Sequence, residues 1–349
     1  IMSSKSELWD LFDKHFQEIV RELSISPVNG GNEICWSFER IKDLLEYNAP
    51  HGKRTRGLTV VAAFKTIAGD GISEDEMKLA LTMGWAVEIL QASFLVADDL
   101  MDQSKTRRGQ ACWYLNPNVG YQAVNDGMIL ETCVFTLIRQ HCKGKAFYAD
   151  IFDLFHKVIL NTLMGQSLDM EASEQPTVDF TLFTETKHAA IIKYKTAFYS
   201  FYLPVAIAFY MAGINDEQCH TAACDILTKI GCLFQIQDDY LDCYGDPEVT
   251  GKIGTDIEDN KCSWLIIKAI QLATPEQIRI LQENYAKKDP EKVAIVKRVF
   301  DDINIKPIFL KHEEETYASI CDEINKFSDP RVPHSIFLDL LNKIYRRKK

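Results

Sequence analysis

The stretch "AFYSFYLPVAIAFYMAGI", residues 197–214, carries no charged side chain and presents apolar groups on more than one side of a helical turn. A surface helix keeps a polar face, so a helix that is apolar all round belongs inside a bundle of other helices. The same periodicity extends outward. "ELWDLFDKHFQEIVREL" (7–23) places Leu8, Leu11, Phe12, Phe16 and Ile19 on one stripe at spacings of three and four. Helical patterns cover about 34–47, 54–68, 74–103, 122–142, 146–172, 178–212 and 216–243, with shorter helices expected over 257–347. "SPVNGGNE" (26–33) interrupts the pattern, and the main loops are expected at 170–179 and 243–256. Both loops are short and flanked by core-like helices, so neither reads as a linker. No run alternates with the period of a strand. The expectation is one all-α domain over 1–349, an antiparallel helical bundle.

Composition narrows the function. With 46% hydrophobic and 26% charged residues the chain can bury a sizeable core. A net charge of −11 argues against a general nucleic-acid surface. None of the ten cysteines forms a CxxC pair, and several lie in apolar runs, so reduced, buried thiols are expected. No uninterrupted apolar stretch is long enough to span a bilayer, and no integral membrane association is expected. The expected location is cytoplasmic, with room for a removed mitochondrial targeting segment ahead of Ile1.

Chemistry concentrates in two places. "FLVADDLMDQSKTRRG" (94–109) sets Asp98, Asp99 and Asp102 behind an apolar helix, and "FQIQDDYLD" (234–242) repeats the spacing with Asp238, Asp239 and Asp242. Residues at i and i+4 share a helix face while i+1 turns about 100° away. Asp98 with Asp102, and Asp238 with Asp242, should therefore converge in pairs. Carboxylates so close repel unless cations join them, and an all-oxygen set suits Mg2+ or Mn2+ rather than zinc. One DDxxD is more often a solvated helix end; two behind apolar helices favour a metal site.

Basic groups accompany them. "GKRTRG" (52–57) brackets Lys53, Arg54 and Arg56 with glycines near a helix start, a pattern that suits an anion but also an ordinary solvated turn. Arg107 and Arg108 follow the first cluster, and Lys252 lies in the loop after the second. Lys195 sits in the aromatic "KYKTAFYSFYLP" (193–204), where an ammonium is costly without an anion. Metal-binding acid, phosphate-binding base and apolar walls describe a site for a diphosphate with a hydrocarbon tail.

These stretches, with "ILQASFLVADDLMDQSKTRRGQ" (89–110), "FQIQDDYLDCYGDPEVTGKIGTDIEDNKCSWL" (234–265) and the terminal "KIYRRKK" (343–349), resemble the short-chain trans-prenyl diphosphate synthases nearly end to end. The resemblance implies a homodimer of isoprenoid-synthase bundles, each around a deep cavity. It implies Mg2+, three per site, on Asp98, Asp102 and Asp238, with Asp99, Asp239 and Asp242 assisting directly or through water. Mn2+ or Co2+ are the expected substitutes. Arg107, Lys195 and Lys252 would hold the allylic diphosphate, with Lys261 near the same cluster. Gly52, Lys53, Arg56, Gln91, Arg108 and Arg347 would hold isopentenyl diphosphate. Thr196, Gln235 and the Lys195 carbonyl would face an allylic cation, and Tyr199 and Phe234 would line the wall.

The implied reaction condenses isopentenyl diphosphate with dimethylallyl and geranyl diphosphate to farnesyl diphosphate. A terpene synthase on the same fold is the nearest rival, and a non-catalytic partner subunit a more distant one. Lys53, Arg56, Gln91 and Arg108 favour condensation over the first, and the complete aspartate clusters disfavour the second. One departure bears on product length. Animal members usually carry two aromatics before the first cluster, where this chain has Ser93 and Phe94. They lie about one turn, ~6–7.5 Å, deeper than Asp98. A deeper floor would lengthen the product; refilling from near Cys133 or Phe135 would keep it or shorten it to geranyl or a geranyl/farnesyl mixture.

Overall fold

The computed structural model describes residues 5–25, 35–174, 177–250 and 253–347. The interruption expected at 26–33 lies outside these residues, as does Lys252. The helices are α1 (Lys5–Ser24), α2 (Cys35–Asn48), α3 (Thr55–Ala68), α4 (Glu74–Met101), α5 (Ala123–Cys142), α6 (Tyr148–Ser173), α7 (Glu185–Ile191), a π-helix (Ile192–Tyr202), α8 (Leu203–Met211), α9 (Glu217–Tyr244), α10 (Pro247–Thr250), α11 (Trp264–Leu272), α12 (Pro275–Asn284), α13 (Pro290–Asp302), α14 (Ile305–Lys326) and α15 (Ser335–Ile344). Among the described residues, strand structure is confined to a two-residue hairpin, β1 (Thr106–Arg107) paired antiparallel with β2 (Gln110–Ala111). The all-α expectation holds, with boundaries close to those read from periodicity. Packing groups the chain into two compact units, residues 1–156 with 203–216 and residues 157–202 with 217–349. Each draws on two separated stretches of chain.

The first unit is organised by α4. Its start is a capping box: the Glu76 N–H donates to Ser73 Oγ at 3.3 Å, and the Ser73 N–H donates to Glu76 Oε2 at 2.9 Å. α3 crosses it at two glycines. A Cβ added at Gly57 or at Gly84 would stand 2.7 Å from the other's carbonyl oxygen, so the backbones touch there. Phe12 of α1 closes the crossing and stacks on Trp85 at 4.5 Å, while the Trp85 Nε1–H donates to the Phe12 carbonyl at 2.8 Å. α5 runs antiparallel to α4, since Gly127 lies opposite Ser93 and the Cys142 thiol lies 3.7 Å from Met83 Sδ. By length and composition α4 could cross a bilayer, which the sequence reading did not anticipate. Yet 89% of its apolar window is buried inside the protein, as befits a core helix.

In the second unit α9 lies along the π-helix, and α11, α14 and α15 pack on α9. Trp264, Tyr285, Phe300 and Phe309 belong to its apolar core. The 178–212 pattern reads as one ordinary helix, but residues 192–202 are π-helical. The wider coil has close neighbours on two sides. A Cβ at Gly165 of α6 would stand 2.6 Å from the Lys195 Cα, and one at Gly231 of α9 2.7 Å from the Ala197 Cα. Neighbouring backbones therefore reach the coil where a side chain would hold them off. A π-helix pairs i with i+5 and so displaces carbonyls from their α-helical partners.

Gly165→Ala should cost about 3 kcal/mol through overpacking against the Lys195 backbone. Gly71→Ala, whose added Cβ meets nothing within 4 Å, should leave stability within about 0.5 kcal/mol. Urea unfolding midpoints of the two variants check both values.

Candidate active site

In the first unit the aspartates divide as helix geometry requires. Asp99 is buried and turned to the hairpin, where its Oδ1 accepts from Arg107 Nε at 2.9 Å. Asp98 and Asp102 are partly exposed on another face, with Arg107 only 3.5 Å from Asp98. Asp99 thus holds an arginine in place. Burial opposes the charge of Arg107, but the hydrogen bond and charge of Asp99, with Asp98 behind it, hold the guanidinium above its ordinary value. Burial, with Asp99 nearby, pushes the Cys112 thiol up to about 12.

Of the residues expected to bind isopentenyl diphosphate, Gly52 of the GKRTRG turn, Arg108 of the hairpin and Gln91 of α4 come together in the first unit. Gly52 has φ +115°, and a Cβ there would stand 2.9 Å from Arg108 Nε. Glycine is therefore required both by the backbone and by the arginine lying on it. Arg108 donates to Gln91 Oε1 at 3.2 Å and to the Asn48 carbonyl at 3.4 Å. Lys53 is exposed at the turn and Arg56 half-buried. Glu88, absent from the sequence reading, accepts the Gly57 N–H at 2.8 Å beneath them. Burial raises its carboxyl above the usual range, against the Gly57 N–H and the charges of Arg56, Arg108 and Arg54. Arg54 instead stacks over Trp9 at 4.8 Å and pairs with Asp13 at 2.6 Å.

At the expected product floor, Ser93 is buried and its Oγ donates to the Leu90 carbonyl at 2.9 Å. Facing it is Gly127, where an added Cβ would meet only the Ser93 carbonyl, at 3.5 Å. Antiparallel pairing sets Cys133 and Phe135 further along α4, and Phe135 packs instead on Phe152 at 5.0 Å. Phe94 remains half-exposed beside Ser93.

The second unit repeats the division. Asp239 is buried and committed: its Oδ2 accepts the Trp264 N–H at 2.8 Å and meets His188 Nε2 at 3.0 Å, and its Oδ1 accepts from Gln235 Nε2 at 3.2 Å. It therefore anchors protein groups from α7, α9 and α11. Asp238 is partly exposed, and Arg347 approaches it at 3.3 Å. That arginine, expected on isopentenyl diphosphate, also donates to the Phe234 carbonyl at 3.0 Å and lies over the Phe234 ring at 4.0 Å. Asp242 Oδ2 accepts the Asp256 N–H at 3.0 Å and ties the following loop to α9. Tyr199 is buried.

The lysine in the aromatic helix has a protein anion. Lys195 Nζ and Lys261 Nζ donate to the same Asp169 oxygen at 2.7 and 3.0 Å. Burial by itself would raise the Asp169 carboxyl, but the two ammonium groups hold it well below the usual carboxylate range. Sequence reasoning passed over Asp169, one of four acids on α6 and unmarked by its neighbours in the sequence. Thr196 Oγ donates to Gln235 Oε1 at 3.1 Å, which brings the two expected cation-facing groups together.

Two helix-borne aspartate clusters with arginines and paired lysines, in an all-helical chain, define an enzyme of the isoprenoid-synthase fold class. The polyprenyl synthetase family model matches residues 38–303, and the chain belongs to that family. It is 50% identical to the farnesyl pyrophosphate synthase of Homo sapiens over 97% of this chain and 80% of that one. It is 42% identical to the Saccharomyces cerevisiae farnesyl pyrophosphate synthase over 100% of both chains. A solved T. brucei farnesyl diphosphate synthase complexed with risedronate superposes with a TM-score of 0.89 at 30% identity, covering 98% of this chain and 100% of that one.

Because the Asp169 carboxyl is depressed, its stabilisation is full above the ordinary carboxylate range and fades as pH falls through the lowered folded value. Asp169→Asn should cost at least about 2 kcal/mol at pH 7. That gap should narrow below about pH 4, the unfolded carboxylate value. Chemical denaturation across pH 3–7 reads it, and a gap constant with pH would contradict the assignment.

Proposed function

We propose that the chain condenses isopentenyl diphosphate with dimethylallyl and then geranyl diphosphate, yielding farnesyl diphosphate. The observation that carries this reading is the division within each DDxxD cluster: the middle aspartate is tied to protein groups and the first stays partly exposed beside an arginine. The names of the near full-length relatives support the same activity.

The family binds diphosphate through divalent metal. The donor set fits, being carboxylate oxygen throughout, and arginine cations already approach Asp98 and Asp238. We assign Mg2+, three per site, to Asp98, Asp102 and Asp238, with Mn2+ or Co2+ as substitutes. Bound metal supplies positive charge against the leaving diphosphate. Arg107, Lys195, Lys252 and Lys261 hold the allylic diphosphate, and Gly52, Lys53, Arg56, Gln91, Arg108 and Arg347 hold isopentenyl diphosphate. The allylic C–O bond breaks with its electron pair leaving on the diphosphate. Thr196 Oγ, Gln235 Oε1 and the Lys195 carbonyl face the cation with partial negative charge, and apolar walls exclude water. The isopentenyl double bond attacks C1 of that cation, and the released diphosphate takes the proton that restores an alkene. No side-chain nucleophile or base is needed.

We further propose that the chain acts as one synthase domain and as a homodimer. In the second unit Leu160, Leu163 and Met164 on α6 are exposed apolar groups at helical spacing, the kind of face a second copy covers, and in the first unit Val124 and Met128 on α5 are exposed likewise. A reducing compartment such as the cytoplasm suits the nine described cysteines, none of them in a disulfide.

Incubation with Mg2+, isopentenyl diphosphate and dimethylallyl diphosphate should yield farnesol after dephosphorylation. Failure to incorporate isopentenyl units would sink the reading. Asp98→Ala or Asp238→Ala should each lower turnover at least about 10²-fold. Ser93→Phe should shift products towards geraniol; an unchanged distribution would remove position 93 from the floor. Leu163→Lys should move the protein from dimer to monomer in sedimentation.

A further inference from the structure

We infer that His188, which lies outside every motif read from the sequence, is a positioning residue that sets the hydrogen-bond polarity of the Thr196–Gln235 pair. The inference rests on the proposed role of that pair.

Asp239 is the fulcrum, and elements on three sides hold it. α7 begins at Thr184, whose Oγ1 accepts the Lys187 N–H at 3.1 Å and whose carbonyl accepts the His188 N–H at 2.9 Å. That start sets His188, itself buried, 3.0 Å from Asp239 Oδ2. The same oxygen accepts the Trp264 N–H at the first turn of α11, a placement the helix dipole favours. Asp239 Oδ1 remains for Gln235, one turn back on α9.

A carboxylate offers only lone pairs, so the Gln235 group facing Asp239 must be its NH2. The Gln235 carbonyl oxygen is thereby turned towards Thr196, and a carbonyl can only accept. The single hydroxyl proton of Thr196 is therefore spent on Gln235 at 3.1 Å. Thr196 then presents lone pairs, not a donor, to whatever lies beside it. That polarity suits a carbocation. The opposite one would offer a diphosphate a hydrogen bond and leave the cation unsupported.

His188 secures the arrangement by engaging Asp239 Oδ2 from the side away from Gln235. Without it, the carboxylate is held by Trp264 and Gln235 alone and can rotate, and the Gln235 amide loses its fixed orientation. Groups that orient a functional side chain in this way are worth about 10-fold in activity.

The test compares His188→Phe, which keeps the ring and removes both nitrogens, with His188→Gln, whose Nε2 restores a donor at similar reach. In the Mg2+-loaded enzyme with geranyl and isopentenyl diphosphates, His188→Phe should lower kcat about 10-fold and leave both KM values within about 2-fold. His188→Gln should recover most of the loss. Calorimetric binding supplies a readout apart from turnover. An allylic diphosphate analogue carrying a tertiary ammonium at the cation position should bind the Phe variant about 10-fold more weakly. Geranyl thiolodiphosphate, unreactive and uncharged there, should bind equally. An unchanged kcat, a Gln variant no better than Phe, or equal weakening of both analogues would overturn the inference. Should the Phe variant not fold, His188→Asn, whose amide is too short to reach Asp239 Oδ2, must show the same selective loss for the ammonium analogue. A wild type that incorporates isopentenyl units alongside an unaffected Phe variant defeats only this inference; a wild type that incorporates none defeats the parent reading.

Discussion

Much of the second unit turns on one buried carboxylate. Asp169 takes Lys195 and Lys261 on a single oxygen, and so allows an ammonium group to sit within an aromatic helix. Desolvating a lysine there is costly, and a buried pair must offset that cost through close geometry. Gly165, four residues before Asp169 and so on the same helical face, lets α6 approach the π-helix backbone at Lys195 itself. The close approach and the ion pair reinforce one another. α6 cannot reach Lys195 with a side chain at 165, and without the acid the lysine would have reason to turn outward. The Lys195 side chain and the Thr196 hydroxyl are thus presented from a coil held in place by its neighbours.

The repeated DDxxD spacing acquires a physical explanation that holds in each unit separately. A turn of about 100° per residue separates the middle aspartate from the first, and the protein uses that separation. Asp99 and Asp239 are buried and bound at 2.8–3.2 Å by side chains or backbone N–H groups. Asp98 and Asp238 meet arginines at 3.5 and 3.3 Å. Short contacts to well-aligned donors are hard to exchange; longer ones between charged groups are readily replaced. The middle residue of each cluster is therefore bound into the protein, and the first is held less closely.

Periodicity carried the fold because apolar stripes at three and four residues survive into the packed structure, as α1, α4 and α9 show. It could not reveal the π-helix. The stretch 192–202 has an ordinary helical pattern, and its wider winding accompanies glycines on α6 and α9, remote in sequence. The site was legible where acids and bases cluster in sequence, and illegible where partners come from afar. Asp169 lies 26 residues from Lys195 and 92 from Lys261, and nothing local marks the three as one group. His188 and Glu88 were missed for the same reason, since their partners Asp239 and Gly57 lie 51 and 31 residues away. Gly127 was missed because a small residue signals only what it leaves open.

Arg347 unites these themes. It stands near the end of the chain, stacked on Phe234 and 3.3 Å from Asp238. An arginine there offsets part of the carboxylate's charge, where DDxxD repulsion would otherwise work against folding. Its bonds to the Phe234 carbonyl and to Gln237 Oε1 hold it to α9, as the hairpin and Asp99 hold Arg107 in the first unit.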